Sequence, residues 1–407
     1  MVDLIQSVVE GVLLVAAVVL AMPVATLAAQ VWGALVLRGS KGRGGAGPTG
    51  VMRRNNVAVL MPAHDEATGI VGPIAAVLSQ LLPGDRLLVV ADNCSDRTAA
   101  VATAAGAEVV ERHDAAHRGK GYALDFGVRH LSSEPPDFVV IVDADCIVAP
   151  GALEQIVAAS AGSGRPVQSL YLMRSPPGAP LTTRIAEFAW LFKNQVRATG
   201  FHRLGLPCPL MGSGMAFPWA LISAVPLASG HIVEDLQLGL ELTAEGTPPL
   251  FCPHALVSSV FPSTRAGLAT QRTRWEHGHI GVILEVGPRL LWMAIRRGRW
   301  ALAAMVLDLC VPPLAGLAMA MLLVVAASAV LAATGGALAP LLVAAVTLVV
   351  WTLSVGAAWR AFGSNVLTLR ELASIPAYVA RKIPGYLRLF RRRETEWIRT
   401  ERDDGKH

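Results

Sequence analysis

Two long stretches of the chain are apolar and contain no charged side chain. Residues 11–37 form the first stretch and residues 309–359 form the second. A helix needs roughly 20 apolar residues to cross a bilayer, so the second stretch is long enough for two helices. Thr334-Gly335-Gly336, followed by Pro340, predicts the turn between them. The pattern therefore predicts three membrane spans, one in the first stretch and two at residues 301–333 and 337–359.

Between these stretches the pattern changes to short apolar runs that are separated by alanine-rich helical segments. Residues 57–61, 86–91 and 138–142 are rich in β-branched side chains and predict strands. Strands that alternate with helices indicate an α/β domain with a mostly parallel sheet. We therefore expect an α/β domain with transmembrane helices on its N-terminal and C-terminal sides.

The chain is predicted to consist of six segments. A transmembrane anchor at 1–38 is followed by a basic, glycine-rich linker at 39–54, which is flexible by composition. The α/β domain occupies 55–279. The remaining segments are an interfacial amphipathic helix at 280–300, two transmembrane helices at 301–360, and a C-terminal interfacial helix with a basic tail at 361–407.

Composition and charge support a membrane location. The chain has 407 residues, of which 53% are hydrophobic and only 16% are charged, which is too apolar for an ordinary soluble enzyme. Basic residues favour the cytoplasmic side of a span, and they flank each predicted span on the side of the α/β domain or the C-terminus. We expect a multi-pass protein of the cell membrane with a cytosolic α/β domain. A cleaved signal peptide is the alternative for the first span, but Asp3 and Glu10 precede its apolar run without any Lys or Arg.

The positive net charge indicates lipid rather than nucleic acid as a partner. The net charge is +5, and its basic residues cluster beside the predicted spans, where anionic headgroups would meet them. A solvated basic tail is the alternative for the C-terminal cluster. The five cysteines are odd in number and lack the spacing of a metal site, so reduced cytosolic thiols are expected.

Acidic residues follow the first two predicted strands. Asp65 and Glu66 come after the first, and Asp92 comes after the second. A carboxylate at the carboxyl edge of a parallel sheet can accept hydrogen bonds from the base or ribose of a nucleotide. Each of these acids could equally be a helix cap or a turn former.

Two further groups predict a phosphate and metal site. Asp143 and Asp145 follow the third strand, and in an extended chain two residues at this spacing lie on one side. Their oxygens suit Mg²⁺ or Mn²⁺, which would neutralise a departing nucleoside diphosphate. Lys120 lies in His117-Arg118-Gly119-Lys120-Gly121, where backbone amides and the lysine could meet a diphosphate, although an exposed glycine-rich turn fits equally well.

Glu234 and Asp235 form another acidic pair, which enters a predicted helix. A carboxylate at this position could deprotonate an acceptor hydroxyl as a general base. The alternative is the ordinary preference for acids in the first turn of a helix. Local sequence alone leaves both open.

Taken together, the order of these groups carries a resemblance. The Asp143-Ala144-Asp145, Glu234-Asp235 and Gln271-Arg272-Thr273-Arg274-Trp275 motifs occur in sequence between apolar stretches. This order resembles inverting family 2 glycosyltransferases of the GT-A fold, which is Rossmann-like, and in particular their membrane branch with a Gln-x-x-Arg-Trp motif. The resemblance covers residues 55–279.

The resemblance implies a role for each matching residue. Asp235 is expected to be the catalytic base, with Glu234 beside it. Asp145 and Asp143 are expected to bind a divalent metal, and Trp275, Gly212 and Ser213 are expected to lie at the acceptor. The residues expected to bind the nucleotide donor are Asp65, Glu66, Asp92, Lys120, Asp143, Gln271 and Arg274.

The implied function is transfer of a sugar from a UDP-sugar, with inversion, to a lipid-linked or glycolipid acceptor in exopolysaccharide or cell-envelope synthesis. Two alternatives stay open. The first is a processive polysaccharide synthase, for which three spans offer little material for a polymer channel. The second is a membrane sugar nucleotidyltransferase, which would release pyrophosphate instead of a nucleoside diphosphate.

Overall fold

The structure is a computed structural model that describes residues 2–37, 56–230, 233–262, 267, 278 and 281–375. The predicted linker and most of the predicted tail lie outside these residues. The chain divides into two compact units. The α/β unit contains residues 39–183, 206–279 and 394–407. The apolar helical unit contains residues 1–38, 184–205 and 280–393.

The α/β unit is built on one eight-stranded sheet, with the strand order β3-β2-β1-β4-β7-β6-β8-β5. All three predicted strands, at 57–61, 86–91 and 138–142, are present, because their apolar runs can be buried on both faces of the sheet. The strands are β1 (Val57–Ala63), β2 (Arg86–Asp92), β3 (Glu108–Arg112), β4 (Phe138–Ile141), β5 (Ile147–Val148), β6 (Val167–Arg174), β7 (Met215–Pro218) and β8 (Leu250–Val260).

Helices connect these strands and cover the sheet. They are α2 (Val71–Leu78), α3 (Thr98–Ala104), α4 (Lys120–Leu131), α5 (Ala152–Ser163), α8 (Trp219–Ile222) and α9 (Glu234–Glu245). α4 packs closely on β1 at Gly127, where an added Cβ would come within 2.4 Å of Leu60 Cδ1. The core at this layer also contains Leu88, Ile141 and Phe217. The close approach holds the middle of α4 against the middle of β1.

The sheet is mixed: four of its seven strand pairs are parallel, and the three antiparallel pairs were not predicted. The pairs β3–β2, β2–β1 and β1–β4 are parallel. Strand β7 then pairs antiparallel with both β4 and β6, and β5 pairs antiparallel with β8, whereas β6 and β8 are parallel. Strand direction is not encoded in local periodicity, and β7 is a four-residue strand that gives too weak a signal for a prediction.

Among its described residues, the apolar helical unit has three helices that are long and apolar enough to cross a membrane, at Leu4–Val36, Leu314–Ala333 and Ala339–Gly363. Its N-terminal elements are α1 (Val2–Val36), α6 (Leu181–Leu191), a π-helical turn (Phe192–Arg197) and α7 (Ala198–Arg203); the first three residues of α6 belong to the α/β unit. Its C-terminal elements are α10 (Gly287–Arg296), α11 (Trp300–Leu309), α12 (Leu314–Ala333), α13 (Ala339–Ala358) and a second π-helical turn (Trp359–Gly363).

The predicted helix at 301–333 is two helices, so that prediction was wrong. α11 ends at Leu309 and α12 begins at Leu314. Pro312 and Pro313 lie between them, and a proline lacks the N–H of a helical hydrogen bond and disfavours helical geometry in the residue before it. The segment that can span a membrane is therefore α12 alone.

Residues 184–205 lie inside the predicted 55–279 domain but group with the apolar helices. α7 crosses α1 so closely that a Cβ on Gly200 would come within 1.8 Å of the Gln30 carbonyl oxygen. Arg203 donates a hydrogen bond to the Ala34 carbonyl. Backbone contact at a glycine is a common way for helices to pack tightly in apolar surroundings.

A buried polar network ties three segments of this unit together. Arg197 donates to Asp308 Oδ1 at 2.7 Å and, through Nε, to Gln30 Oε1 at 2.9 Å. Gln30 in turn donates to Asp308 Oδ1 at 2.5 Å. All three side chains are at least nine-tenths buried. The network contains one positive and one negative charge, and it joins α1, the first π-helical turn and α11.

Candidate active site

The first group of predicted residues lies where β1 and β2 end side by side. Asp65 has a left-handed backbone, with φ of 52°. Its carboxylate accepts hydrogen bonds from the N–H of Ser95 at 2.6 Å and of Asp96 at 3.2 Å. Burial raises the pKa of Asp65, but these hydrogen bonds outweigh it and hold the pKa below its ordinary value. Asp65 therefore joins the loop after β1 to the loop after β2, and Glu66 adds a bond from its N–H to Thr98 Oγ1 at 2.8 Å.

Asp92 is buried and forms an ion pair that the sequence did not reveal. Its Oδ1 accepts a hydrogen bond from Arg112 Nη1 at 2.6 Å. Arg112 also bonds Asp114 at 3.1 Å and lies over the ring of Tyr122. An ion pair of this kind stabilises only when both charges are well satisfied, which is the case here. Asp92 thus organises the loop between β3 and α4.

The second group of predicted residues meets at Lys120, the first residue of α4. Its Nζ lies 2.5 Å from Asp143 Oδ1 and 4.0 Å from Glu234 Oε1. The same ammonium donates to the carbonyl of Gly212 at 2.6 Å. Residues from α4, the loop after β4, the loop before β7 and the start of α9 therefore converge on one cation.

Burial and like charge perturb the acids around Lys120. Burial raises the pKa of Asp143; Lys120 opposes this rise and Asp145 adds to it. Burial likewise raises the pKa of Glu234 to about 7, with Lys120 opposing and Asp235 adding to the shift. Burial lowers the pKa of Lys120, but the charges of Asp143 and Glu234 outweigh it and raise the pKa overall. The acids would therefore be stabilised by further positive charge.

A candidate metal centre includes Asp143, which also contacts Lys120. Ligand atoms of Asp143, Asp145 and Cys146 all lie within 4.8 Å of one another. Asp145 is oriented by Ser259 Oγ, which donates to Oδ2 at 2.9 Å. Burial raises the pKa of the Cys146 thiol, which donates to Asp145. Two carboxylates with an orienting hydroxyl fit a hard divalent cation such as Mg²⁺ or Mn²⁺.

Another group, at Asp65, Cys94 and Asp96, also has ligand atoms close together. Its carboxylates are already used within the protein. Asp96 accepts hydrogen bonds from the N–H of Thr98 at 2.9 Å and of Ala67 at 3.0 Å, in addition to the bonds on Asp65. We therefore place the candidate metal centre at Asp143 and Asp145.

The loop before β7 contacts residues of both acidic pairs, Asp143 of the first and Asp235 of the second. Gly212 has a φ of 93°, and a Cβ added there would lie 3.3 Å from Asp235 Oδ2. Ser213 is fully buried, and its Oγ accepts the N–H of Asp143 at 3.1 Å. The Ser213 hydroxyl is thus turned to the protein. Of Gly212 and Ser213, the two described residues among the three that are predicted at the acceptor, only Gly212 adjoins the predicted base.

The structure thus brings together Lys120, Asp143, Asp145, Gly212, Glu234 and Asp235, and it places Asp65, Glu66 and Asp92 in the adjoining loops. Gln271, Arg274 and Trp275 lie outside the described residues. Arg112, Gln168 and Ser259 were missed. For Gln168 and Ser259, the available signal was a polar residue inside an apolar strand. Arg112 ends the short, largely charged strand β3, which gives no such signal.

Comparison with known proteins identifies the α/β unit. A family model described as "Glycosyltransferase like family 2" matches residues 54–278. The probable glycosyltransferase YdaM of Bacillus subtilis is 25% identical over 254 residues, which are 56% of this chain and 56% of that protein. The chain thus aligns with only about half the length of this relative.

Two solved structures are similar to this chain to different degrees. The mannosyltransferase PcManGT from Pyrobaculum calidifontis, in complex with GDP-Man and Mn²⁺, is similar with a TM-score of 0.51 and 18% identity, over 84% of this chain and 97% of that chain. Glucosyl-3-phosphoglycerate synthase from Mycobacterium tuberculosis, in complex with Mn²⁺, UDP and phosphoglyceric acid, gives a TM-score of 0.37 and 24% identity, over 55% of this chain and 78% of that chain. The first likeness supports a GT-A-like fold.

Proposed function

Because the chain belongs to glycosyltransferase family 2, we propose that it moves a sugar from a nucleotide donor to a lipid-linked or glycolipid acceptor, with inversion at the anomeric carbon. The observation that supports this most strongly is the position of Lys120, which lies between Asp143 of one acidic pair and Glu234 of the other. A donor end and an acceptor end, each with two acids, thereby adjoin within one site.

At the donor end, Asp143 and Asp145 would hold Mg²⁺ or Mn²⁺, which supplies positive charge to the departing nucleoside diphosphate when bound. Lys120 and the N–H groups in the first turn of α4 would provide further positive charge for the phosphates. The nucleoside would lie toward Asp65, Glu66 and Asp92. Gln271 and Arg274 are proposed to contact the diphosphate, and the donor is proposed to be a UDP-sugar.

At the acceptor end, Asp235 would take the proton of the attacking hydroxyl. The oxygen of that hydroxyl forms a bond to the anomeric carbon while the bond from this carbon to the phosphate oxygen breaks, and the nucleoside diphosphate leaves with the electron pair. Gly212 has no side chain, which leaves space beside Asp235 Oδ2 for the acceptor. Glu234 would keep Lys120 close to the base, and Trp275 would stack on the acceptor sugar.

The membrane part of the proposal rests on the apolar helical unit. Three of its helices are long enough to span a bilayer. Trp292 and Trp300 are 61% and 81% exposed, and Arg296 lies over the Trp292 ring. Tryptophan and arginine are typical of the interface between lipid and water, and an amphipathic helix can lie in that plane. We propose a multi-pass protein of the cell membrane whose α/β unit faces the cytosol and whose acceptor is embedded in lipid.

The proposal can be tested by following the labelled sugar. Purified full-length protein in vesicles of membrane lipid extract would receive Mn²⁺ or Mg²⁺ and a panel of UDP- and GDP-sugars with radiolabelled sugar. We expect one donor to label the organic-extractable lipid in a metal-dependent way. Asp235→Asn should abolish the labelling, whereas Asp125→Asn, on the surface of α4, should not.

Two results would redirect the proposal. No lipid labelling with any donor, while the wild-type protein and Asp235→Asn behave alike, would contradict it. A labelled polymer of many sugars would favour a processive synthase instead of single addition.

A further inference from the structure

Gln168 lies on β6, is fully buried, and binds both sides of Gly212. Its Oε1 accepts the N–H of Met211 at 2.8 Å, and its Nε2 donates to the Ser213 carbonyl at 2.9 Å. Nε2 also donates to the carbonyl of Ser169. A single side-chain amide therefore determines the path of the loop that contains Gly212.

This loop contacts each part of the proposed site. The carbonyl of Gly212 accepts a hydrogen bond from Lys120, and its Cα adjoins Asp235. The hydroxyl of Ser213 accepts the N–H of Asp143. A rotation of the peptide between Gly212 and Ser213 would therefore move the anchor of Lys120 and the support of Asp143 together.

Gly212 needs such a clamp, because its own conformation is weakly restrained. Its φ of 93° lies in the left-handed region, which glycine adopts readily but loses much entropy to hold. Gly214, with φ of 68°, is fixed separately, since its N–H donates to the Ile141 carbonyl and its carbonyl accepts the N–H of Ser169. Between Met211 and Gly214, Gln168 thus holds the backbone on both sides of Gly212, in addition to the bonds from Lys120 and Asp143.

We propose that Gln168 is a positioning residue for glycosyl transfer, which it controls through the Gly212 carbonyl and Lys120 without touching the reacting groups. The inference rests on the proposed function. The role of residue 168 requires a side chain with one hydrogen-bond acceptor and one donor, placed as in the Gln168 amide. A glutamate has the same shape and meets this requirement only when protonated, because a carboxylate at this position would repel the Ser213 carbonyl oxygen.

The chemistry of glutamate provides the test. Gln168→Glu and Gln168→Met would be compared with the wild type and with Gln80→Met. Gln80 makes a similar amide clamp elsewhere in the α/β unit, with Nε2 donating to the Val148 carbonyl at 3.2 Å and Oε1 accepting the Leu153 N–H at 3.4 Å. It is therefore a matched control for the general effect of losing such a clamp.

The first readout does not depend on turnover. Lysines would be labelled briefly by reductive methylation at about pH 8. This pH is well above the ordinary pKa of a glutamate, so the amide of the wild type and the carboxyl group of Gln168→Glu can be told apart. The rate at Lys120 would be divided by the rate at Lys193, which is exposed. We expect this ratio to rise at least tenfold in both Gln168 variants, because Lys120 loses its fixed carbonyl, and to stay unchanged in Gln80→Met.

The second readout is kinetic. We expect kcat of both variants to fall about 10–100-fold at pH 8, since small misplacement of a catalytic group has effects of this size, with less than about a threefold change in the donor KM. For Gln168→Glu, kcat relative to the wild type should recover as the pH falls to about 6, because burial raises the pKa of a carboxyl group. Gln168→Met should show no such recovery.

The outcomes separate the two proposals. Unchanged Lys120 labelling, or a kcat loss no larger than that of Gln80→Met with no pH-dependent recovery in Gln168→Glu, would overturn the role of Gln168. A wild-type protein that transfers no sugar, but in which the Gln168 variants still expose Lys120, would overturn the proposed function and leave the clamp on Lys120 supported.

Discussion

Buried charges occur in both units, but their balance differs. In the apolar helical unit, Arg197 and Asp308 neutralise each other, and Gln30 bonds to both. In the α/β unit, Asp143 and Glu234 share Lys120, while Asp145 and Asp235 add further negative charge to the same site. The first cluster has no net charge and the second is strongly negative.

The difference separates a cluster whose charges are balanced within the protein from one that a bound cation would balance. Burying a charge is costly unless it is paired and hydrogen-bonded, so the neutral network is complete as it stands. The acidic cluster shows raised pKa values at Asp143 and Glu234, which mark its unbalanced charge. Clusters of this kind occur at functional sites, where a bound cation completes them.

The largest effect should come from Asp235→Asn, which removes the proposed base. We expect kcat to fall about 10²–10⁴-fold, the range for loss of general-base catalysis. The unfolding midpoint should stay the same or rise, because one negative charge leaves a crowded site. Donor turnover and thermal unfolding in detergent would be measured together. Asp125→Asn is the control, and a variant that keeps more than a tenth of the wild-type kcat would contradict the role of Asp235.

Arg197→Met should affect stability rather than chemistry. Removing one partner of a buried ion pair leaves the other uncompensated and typically costs about 3–5 kcal/mol of unfolding free energy. Arg197→Met combined with Asp308→Asn should recover a large part of this loss, because the charge left behind is also removed. Denaturant unfolding in detergent would measure both. If the double variant were as unstable as the sum of the single variants, the pair would not be coupled.

Lys120→Met should increase the affinity for Mn²⁺ when no nucleotide is present. The ammonium lies 2.5 Å from Asp143 Oδ1, so its removal frees that oxygen and removes a repelling positive charge. We expect about tenfold tighter binding, which corresponds to about 1.4 kcal/mol. Electron paramagnetic resonance of free Mn²⁺ measures it directly, with Lys193→Met as the control. Weaker binding in Lys120→Met would contradict the proposed metal position.

The smallest effect concerns the pH dependence of stability without metal. The pKa of Glu234 is raised in the folded state from 4.5 to about 7. Its stabilising contribution is thus fully present below the unfolded value and is lost as the pH rises through about 7. We expect the melting temperature of the wild type to fall by a few degrees more than that of Glu234→Gln between pH 6 and pH 8. Parallel curves for the two proteins would contradict this.

The sequence was sufficient for the features that depend on composition and order. The strands β1, β2 and β4 are apolar runs with several β-branched residues, and the acids that follow them lie at one edge because parallel strands share a carboxyl edge. The three apolar helices follow from length and the absence of charge. These features require no knowledge of long-range pairing.

Other features depend on contacts that no local pattern contains. Three such contacts are the antiparallel pairing of β7 with β4, the ion pair of Asp92 with Arg112 and the hydrogen bonds of Gln168 to the Gly212 loop. Each joins residues that are at least 20 positions apart. The grouping of residues 184–205 with the apolar helices follows from packing at Gly200, where only the three-dimensional structure shows the neighbouring backbone.

The central claim is most directly tested by the phosphorus-containing product. ³¹P NMR spectra would be recorded while the wild-type protein, in lipid vesicles with Mg²⁺, consumes the donor identified by lipid labelling. We predict the resonances of a nucleoside diphosphate, formed in step with the labelled lipid. Pyrophosphate, or an intact donor under conditions in which the protein is folded and binds metal, would contradict glycosyl transfer at this site.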